Sequence, residues 1–97
     1  MRGYVVVNIT VRDSARYEEY KRLATPTVSA YGGRYVARGG AVDVREGRWS
    51  PTRLVILEFP NVERARAWWD SPEYAPAKAI RQSCADTQLV ITEGIPA

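Results

Sequence analysis

The chain has 97 residues, of which 45% are hydrophobic and ten aromatic. That is enough for one domain over residues 1–97 with its own core, and too apolar for a disordered chain. With no histidine and a single cysteine, Cys84, it offers neither a disulfide framework nor the usual ligands of zinc or haem. No metal or cofactor is therefore expected, and proton transfer falls to carboxylates, tyrosines, lysines and water. The net charge of +3 rests on twelve arginines and two lysines scattered along the chain, not on one basic face, so a nucleic-acid partner is not expected.

Tyr4 to Val11 alternates with the strand period, placing Val5, Val7, Ile9 and Val11 on one face and Tyr4, Val6, Asn8 and Thr10 on the other. No apolar segment with a cleavage site precedes it, and no run approaches the ~18 apolar residues needed to span a bilayer. The expected location is the cytoplasm, with no membrane partner. Asp13 or Ser14 caps a helix whose apolar side runs through Tyr17, Tyr20, Ala24 and Val28 to Tyr31. Pro26 is expected to kink or restart it, and Gly32-Gly33 to stop it.

Tyr35 to Arg38 reads as strand, with Gly39-Gly40 as a bulge in one longer strand reaching Arg45. Turn chemistry over residues 46–52 then brings Leu54 to Phe59 back antiparallel. Asn61 caps the next helix, with Glu63 in its first turn and Trp68 and Trp69 on its apolar stripe. Because adjacent side chains on a helix cannot both face the core, one tryptophan belongs at an edge. Ser71-Pro72 starts another helix carrying Tyr74, Ala77, Ile80 and Cys84, and Gln88 to Thr92 forms the last strand. Cys84 is expected to be a buried structural thiol.

The order strand, helix, strand, strand, helix, strand is the α+β ferredoxin-like βαββαβ arrangement: a four-stranded antiparallel sheet with helices on one face. The other face would expose Val6, Leu54, Ile56 and Val90, which a second copy packed sheet to sheet would cover. A homodimer is expected. RNA-recognition domains share this element order, but the third strand here has leucine and isoleucine where stacking aromatics would stand.

Several strings carry a family resemblance: Asp13, Tyr17 and Tyr20 ahead of Gly32-Gly33, then Arg38-Gly39-Gly40 and Glu46-Gly47-Arg48-Trp49-Ser50-Pro51. Arg53 to Pro60, Ser71-Pro72-Glu73-Tyr74 and Arg81 complete the set. With them the chain closely resembles the DUF1330 family of small bacterial proteins. The resemblance implies the dimeric α+β barrel superfamily, whose members include cofactor-independent monooxygenases, muconolactone isomerases, haem-binding chlorite dismutases and binding domains. It implies fold and dimer, and no particular reaction.

Asn8 and Glu58 interrupt apolar strands on the face of Val6, Ile56 and Val90. Glu58 in apolar surroundings is suited to moving a proton, or else pairs with Arg38 or Arg53 and fixes register. Arg38, before the Gly-Gly step, can grip a carboxylate or enolate or form an ion pair. The catalytic candidates are thus Glu58, Arg38 and Asn8, with Arg38 and Asn8 stabilising an oxyanion. The ligand-binding candidates are Trp49, Arg53, Tyr74 and Arg81. Arg81 is read as pointing to solvent and is included because the resemblance marks it. Two functions fit: a cofactor- and metal-independent site for a small hydrophobic organic molecule such as a polyketide-like phenol or a lactone, or a non-catalytic dimeric binding domain.

Overall fold

A computed structural model describes residues 1–96. The elements are β1 (Gly3–Val11), α1 (Ser14–Ala30), β2 (Arg34–Arg38), β3 (Leu54–Phe59), α2 (Val62–Trp69), α3 (Ala75–Cys84) and β4 (Ala85–Glu93). The strands form one antiparallel sheet in the order β2-β3-β1-β4, the ferredoxin-like topology. All three helices lie on one side. The molecule measures 35 × 33 × 16 Å, the thickness of one sheet and one helical layer.

Alternation in the strands decides which side is which. Val5, Val7 and Ile9 of β1 and Val55, Leu57 and Phe59 of β3 are buried under the helices. Val6, Leu54 and Ile56 point the other way and are half-buried, while Val90 is 60% exposed. Asp13 caps α1 by accepting a hydrogen bond from Arg16 N, and Asn61 caps α2 by accepting one from Arg64 N at 2.8 Å. Trp68 is buried and Trp69 sits at the edge, as the one-face geometry of a helix requires. Cys84 is a buried free thiol. No helix among the described residues is long and apolar enough to cross a membrane.

Three expectations need correcting. The helix α1 runs unbroken through Pro26, because the tertiary packing of Ala24 and Val28 on either side holds it. The strand β2 ends at Arg38 instead of reaching Arg45, and its bulge falls earlier, between Tyr35 and Ala37. The reason lies at Gly39, whose φ of +74° turns the chain off the sheet after Gly39 N donates to Leu54 O at 2.9 Å. The Arg53 side chain crosses this position so closely that a Cβ at Gly39 would collide with Arg53 Nη1. On the other strand, Pro51 has no N–H to continue the ladder. Finally, the last strand starts at Ala85, directly after α3 with no loop between.

Candidate functional site

Between the helical layer and the sheet lies a cavity walled by Tyr17 and Tyr20 of α1, Tyr35 and Arg38 of β2, Trp68 of α2, and Tyr74 and Arg81 beside and on α3. Bulky aromatic side chains bridge the two layers here. Tyr17 stacks on Tyr20 with ring centroids 5.4 Å apart, Trp68 lies 4.1 Å from Tyr74, and Phe59 packs behind Trp68 at 5.6 Å. The Trp68 indole donates through Nε1 to Thr27 Oγ1 at 3.0 Å, so its one polar atom is satisfied inside the core. Ser71 fixes the approach to Tyr74 by donating to Trp68 O and accepting from Tyr74 N. The enclosed space is about 20 Å3, little more than a water needs.

Arg81 is the unusual member of this cavity. It is 1% exposed, and none of its three guanidinium nitrogens has a hydrogen-bond partner. Its Cζ lies over the Tyr20 ring, 5.8 Å from the centroid, and over the Trp69 ring at 5.6 Å. Cation–π contact satisfies the face of a guanidinium, whereas its N–H groups point outward in the plane and need acceptors. A buried cation left in this condition costs free energy unless something else meets it.

The hydroxyls of Tyr20 and Tyr74 meet at 2.9 Å beside it. Burial pushes the Tyr20 phenol well above its ordinary range, with the neighbouring Tyr74 adding to the effect, and raises the Tyr74 phenol as well. The Arg81 charge opposes the rise at both, and at Tyr74 the guanidinium also lies close enough for its N–H groups to lower the phenol by hydrogen bonding, although none meets the hydroxyl at good geometry. Both hydroxyls are therefore neutral donors and not bases. At the mouth, Arg38 stacks 4.0 Å from the Tyr35 ring centroid and donates through Nη2 to Thr25 Oγ1 at 3.0 Å. Arg53 donates through Nε to the Tyr17 hydroxyl at 3.0 Å. Arg38, Arg53, Tyr74 and Arg81 thus gather in and around one cavity.

The remaining sequence candidates lie across the sheet. Glu58 is 9% exposed on the open face, where it accepts from Arg34 Nε and from the Tyr4 hydroxyl, each at 2.9 Å, with Arg2 Nη1 at 3.6 Å. Its partner is Arg34 and not Arg38 or Arg53, because Arg34 is the residue directly opposite on β2 while Arg38 points to the helical side. These bonds, led by Arg34, hold the carboxyl below its ordinary range, which suits an ion pair and not a general base.

Asn8 lies opposite Leu54, four residues and about 13 Å along the strand from Glu58. Its Oδ1 accepts from Thr52 N at 3.0 Å and Arg53 N at 3.3 Å, so it fastens the end of the 39–53 connection to β1. Trp49, in that connection, is 60% exposed and lies over a shallow depression with Val6, Asn8, Leu54 and Val90. Glu58, Asn8 and Arg38 do not come together at one site.

Arg81 was expected at the surface, yet a signal for its burial was present. Positions 77, 81 and 84 follow one another at helical spacing, and Ala77, Arg81 and Cys84 are the buried residues of α3. The stripe passes through Arg81, and Ile80 is only half-buried.

The family model described as "Domain of unknown function (DUF1330)" matches residues 2–95. The chain belongs to the DUF1330 family. None of the curated proteins compared with it matches. Among solved structures, this DUF1330 chain is similar to a protein of unknown function from Rhodopseudomonas palustris, at a TM-score of 0.76 and 18% identity. The match covers 99% of this chain and 84% of that one. It is similar to SnoaB, a cofactor-independent oxygenase from Streptomyces nogalater, at a TM-score of 0.66 and 11% identity over 99% and 95% of the two chains. It is also similar to a dimeric ferredoxin-like protein of unknown function from Jannaschia sp., at 0.65 and 12% over 97% and 100%. Identities this low establish a common fold and leave chemistry to the site.

Proposed function

We propose that the protein is a cytoplasmic homodimer whose helix–sheet cavity is a cofactor-independent, enzyme-like site for a small hydrophobic organic molecule of the polyketide-like phenol or lactone kind. The observation that carries this reading is Arg81: a buried guanidinium with three unpartnered nitrogens, set among tyrosines and a tryptophan. Such a group is expensive to keep in a fold for packing alone and is suited to holding a developing oxyanion. The Tyr20–Tyr74 pair supplies a further donor, and Arg38 and Arg53 stand near the mouth. A ligand of phenol size needs more than the space now enclosed, so on this reading its entry requires the side chains that line the cavity to move apart.

The dimer is supported by the open sheet face with Val6, Leu54, Ile56 and Val90, and by the dimeric state of the Jannaschia protein of the same fold. Asn8, Glu58 and Trp49 belong, on this reading, to the interface side and hold loop and register. Because the Streptomyces protein is a cofactor-independent oxygenase, consumption of dioxygen in the presence of a bound ligand is the first chemistry to assay. Binding without turnover is favoured by one observation, that no carboxylate lines the cavity to act as a base.

The test is a thermal-shift screen of phenols, naphthols, lactones and aromatic acids on the wild type and on Arg81→Met. Ligands that raise the melting temperature of the wild type and lose that effect in Arg81→Met support the cavity. Ligands unaffected by Arg81→Met but lost in Trp49→Ala would move the site to the open face and contradict it.

A further inference from the structure

The charged and proton-bearing groups around the cavity are unbalanced. Among the described residues the charged groups lining the cavity are Lys21 and Arg38 at the mouth and Arg81 inside, all cations, and no carboxylate lines it. Lys21 is already paired with Glu18 at 2.8 Å on the outer side of α1, and Arg38 with Thr25 Oγ1 and the Tyr35 ring. Arg81 has ring faces only.

The hydroxyl groups add donors and no base. Whichever of Tyr20 and Tyr74 donates in their shared hydrogen bond, the other keeps its own proton outside that bond. Tyr17 accepts from Arg53 Nε and likewise keeps its proton. A neutral occupant that had to lose a proton here would find nothing to take it. An occupant already carrying negative charge would meet the in-plane N–H fork of Arg81, whose geometry matches two oxygens sharing one charge.

We infer that the occupant enters as a preformed planar organic anion with two oxygens sharing one charge, either an aromatic carboxylate or the enolate of an acidic 1,3-dicarbonyl compound. Its anionic end lies against Arg81 and its ring lies among Tyr17, Tyr35 and Trp68. This rests on the cavity being the site, as proposed above. It adds that the site selects for charge, since a neutral analogue of the same shape leaves the guanidinium buried and unmet. The expected discrimination is about 10- to 100-fold, the usual penalty for an unpaired buried charged group.

The experiment is titration calorimetry on the full chain with two matched pairs. One is benzoate against benzamide. The other is 5-phenylcyclohexane-1,3-dione, ionised at neutral pH, against its enol methyl ether. Each is run in two buffers of different ionisation enthalpy. The inference expects the anion of at least one pair to bind about 10-fold or more tighter than its neutral partner, with an enthalpy independent of buffer because no proton is exchanged. Which pair responds tells carboxylate from enolate. Arg81→Gln should erase the preference, and Arg81→Lys, which keeps the charge, should retain part of it and serves if the glutamine variant does not fold. Neutral members binding as tightly as anions, or a buffer-dependent proton release, would overturn the inference and leave the cavity standing. No binding of any of the four compounds would overturn the inference and count against the cavity as well.

Discussion

Tyr20 on α1 and Tyr74 at the start of α3 join the two helices through a single hydrogen bond of 2.9 Å between their hydroxyls, directly beside a buried guanidinium. Each is the other's polar partner in this part of the core. Removing one hydroxyl strands the other, so Tyr20→Phe or Tyr74→Phe alone should cost about 1–3 kcal/mol. The double variant should cost less than the sum of the two, a coupling that a double-mutant cycle in urea measures directly. Both phenols titrate above their ordinary value of 10.0 when folded. The stability they contribute is therefore whole below that value and falls as pH rises beyond it, because the unfolded chain ionises first.

Glu58 makes the opposite prediction. Its folded carboxyl titrates below the ordinary 4.5, first because of Arg34 and then because of Tyr4. The stabilisation is present above 4.5 and is lost as pH falls through the lowered value. Glu58→Gln should melt at a lower temperature than the wild type at pH 7, and the gap should close on acidification. Equal melting temperatures at pH 7 would show that the ion pairs with Arg34 and Arg2 contribute nothing.

Trp68 is the keystone of the aromatic layer, touching Phe59 and Tyr74 and spending its N–H on Thr27. Trp68→Ala should cost roughly 3–5 kcal/mol in chemical denaturation. A loss below 1 kcal/mol would mean the layer rearranges to fill the space.

The open face gives a test of assembly. Ile56 lies at its centre, opposite Val6 and Ala37. Light scattering at micromolar concentration should report twice the mass of the 10.9 kDa chain, and Ile56→Asp should reduce it to the monomer. A monomeric wild type would remove the sheet-to-sheet arrangement.

The fold was legible because strand period and caps agree with it. The valines of β1 alternate, Asp13 and Asn61 stand at helix starts, and Gly32 follows α1. The 39–53 connection was less so, since a glycine pair within a strand-like run reads as a bulge in one longer strand when it in fact ends the strand. The positive φ that Gly39 adopts decides for the exit. At the site, residue type pointed to Glu58, Asn8 and Arg38 as a group. Facing in a sheet depends on register, however, and register puts Arg34 beside Glu58 and turns Arg38 to the other side. Arg81 was among the candidates through the family resemblance alone and was read as pointing to solvent, although its position on the Ala77–Cys84 stripe marks it as buried.

If Arg81 is kept for a ligand and not for the fold, the melting of Arg81→Met without ligand reveals it. Methionine fills much of the same volume without a charge. The account predicts that the variant is as stable as the wild type or more stable by about 1–3 kcal/mol, because an unmet buried cation has been removed. A variant that is clearly less stable would mean that the guanidinium is satisfied within the fold, and the cavity would lose its claim to an anionic ligand.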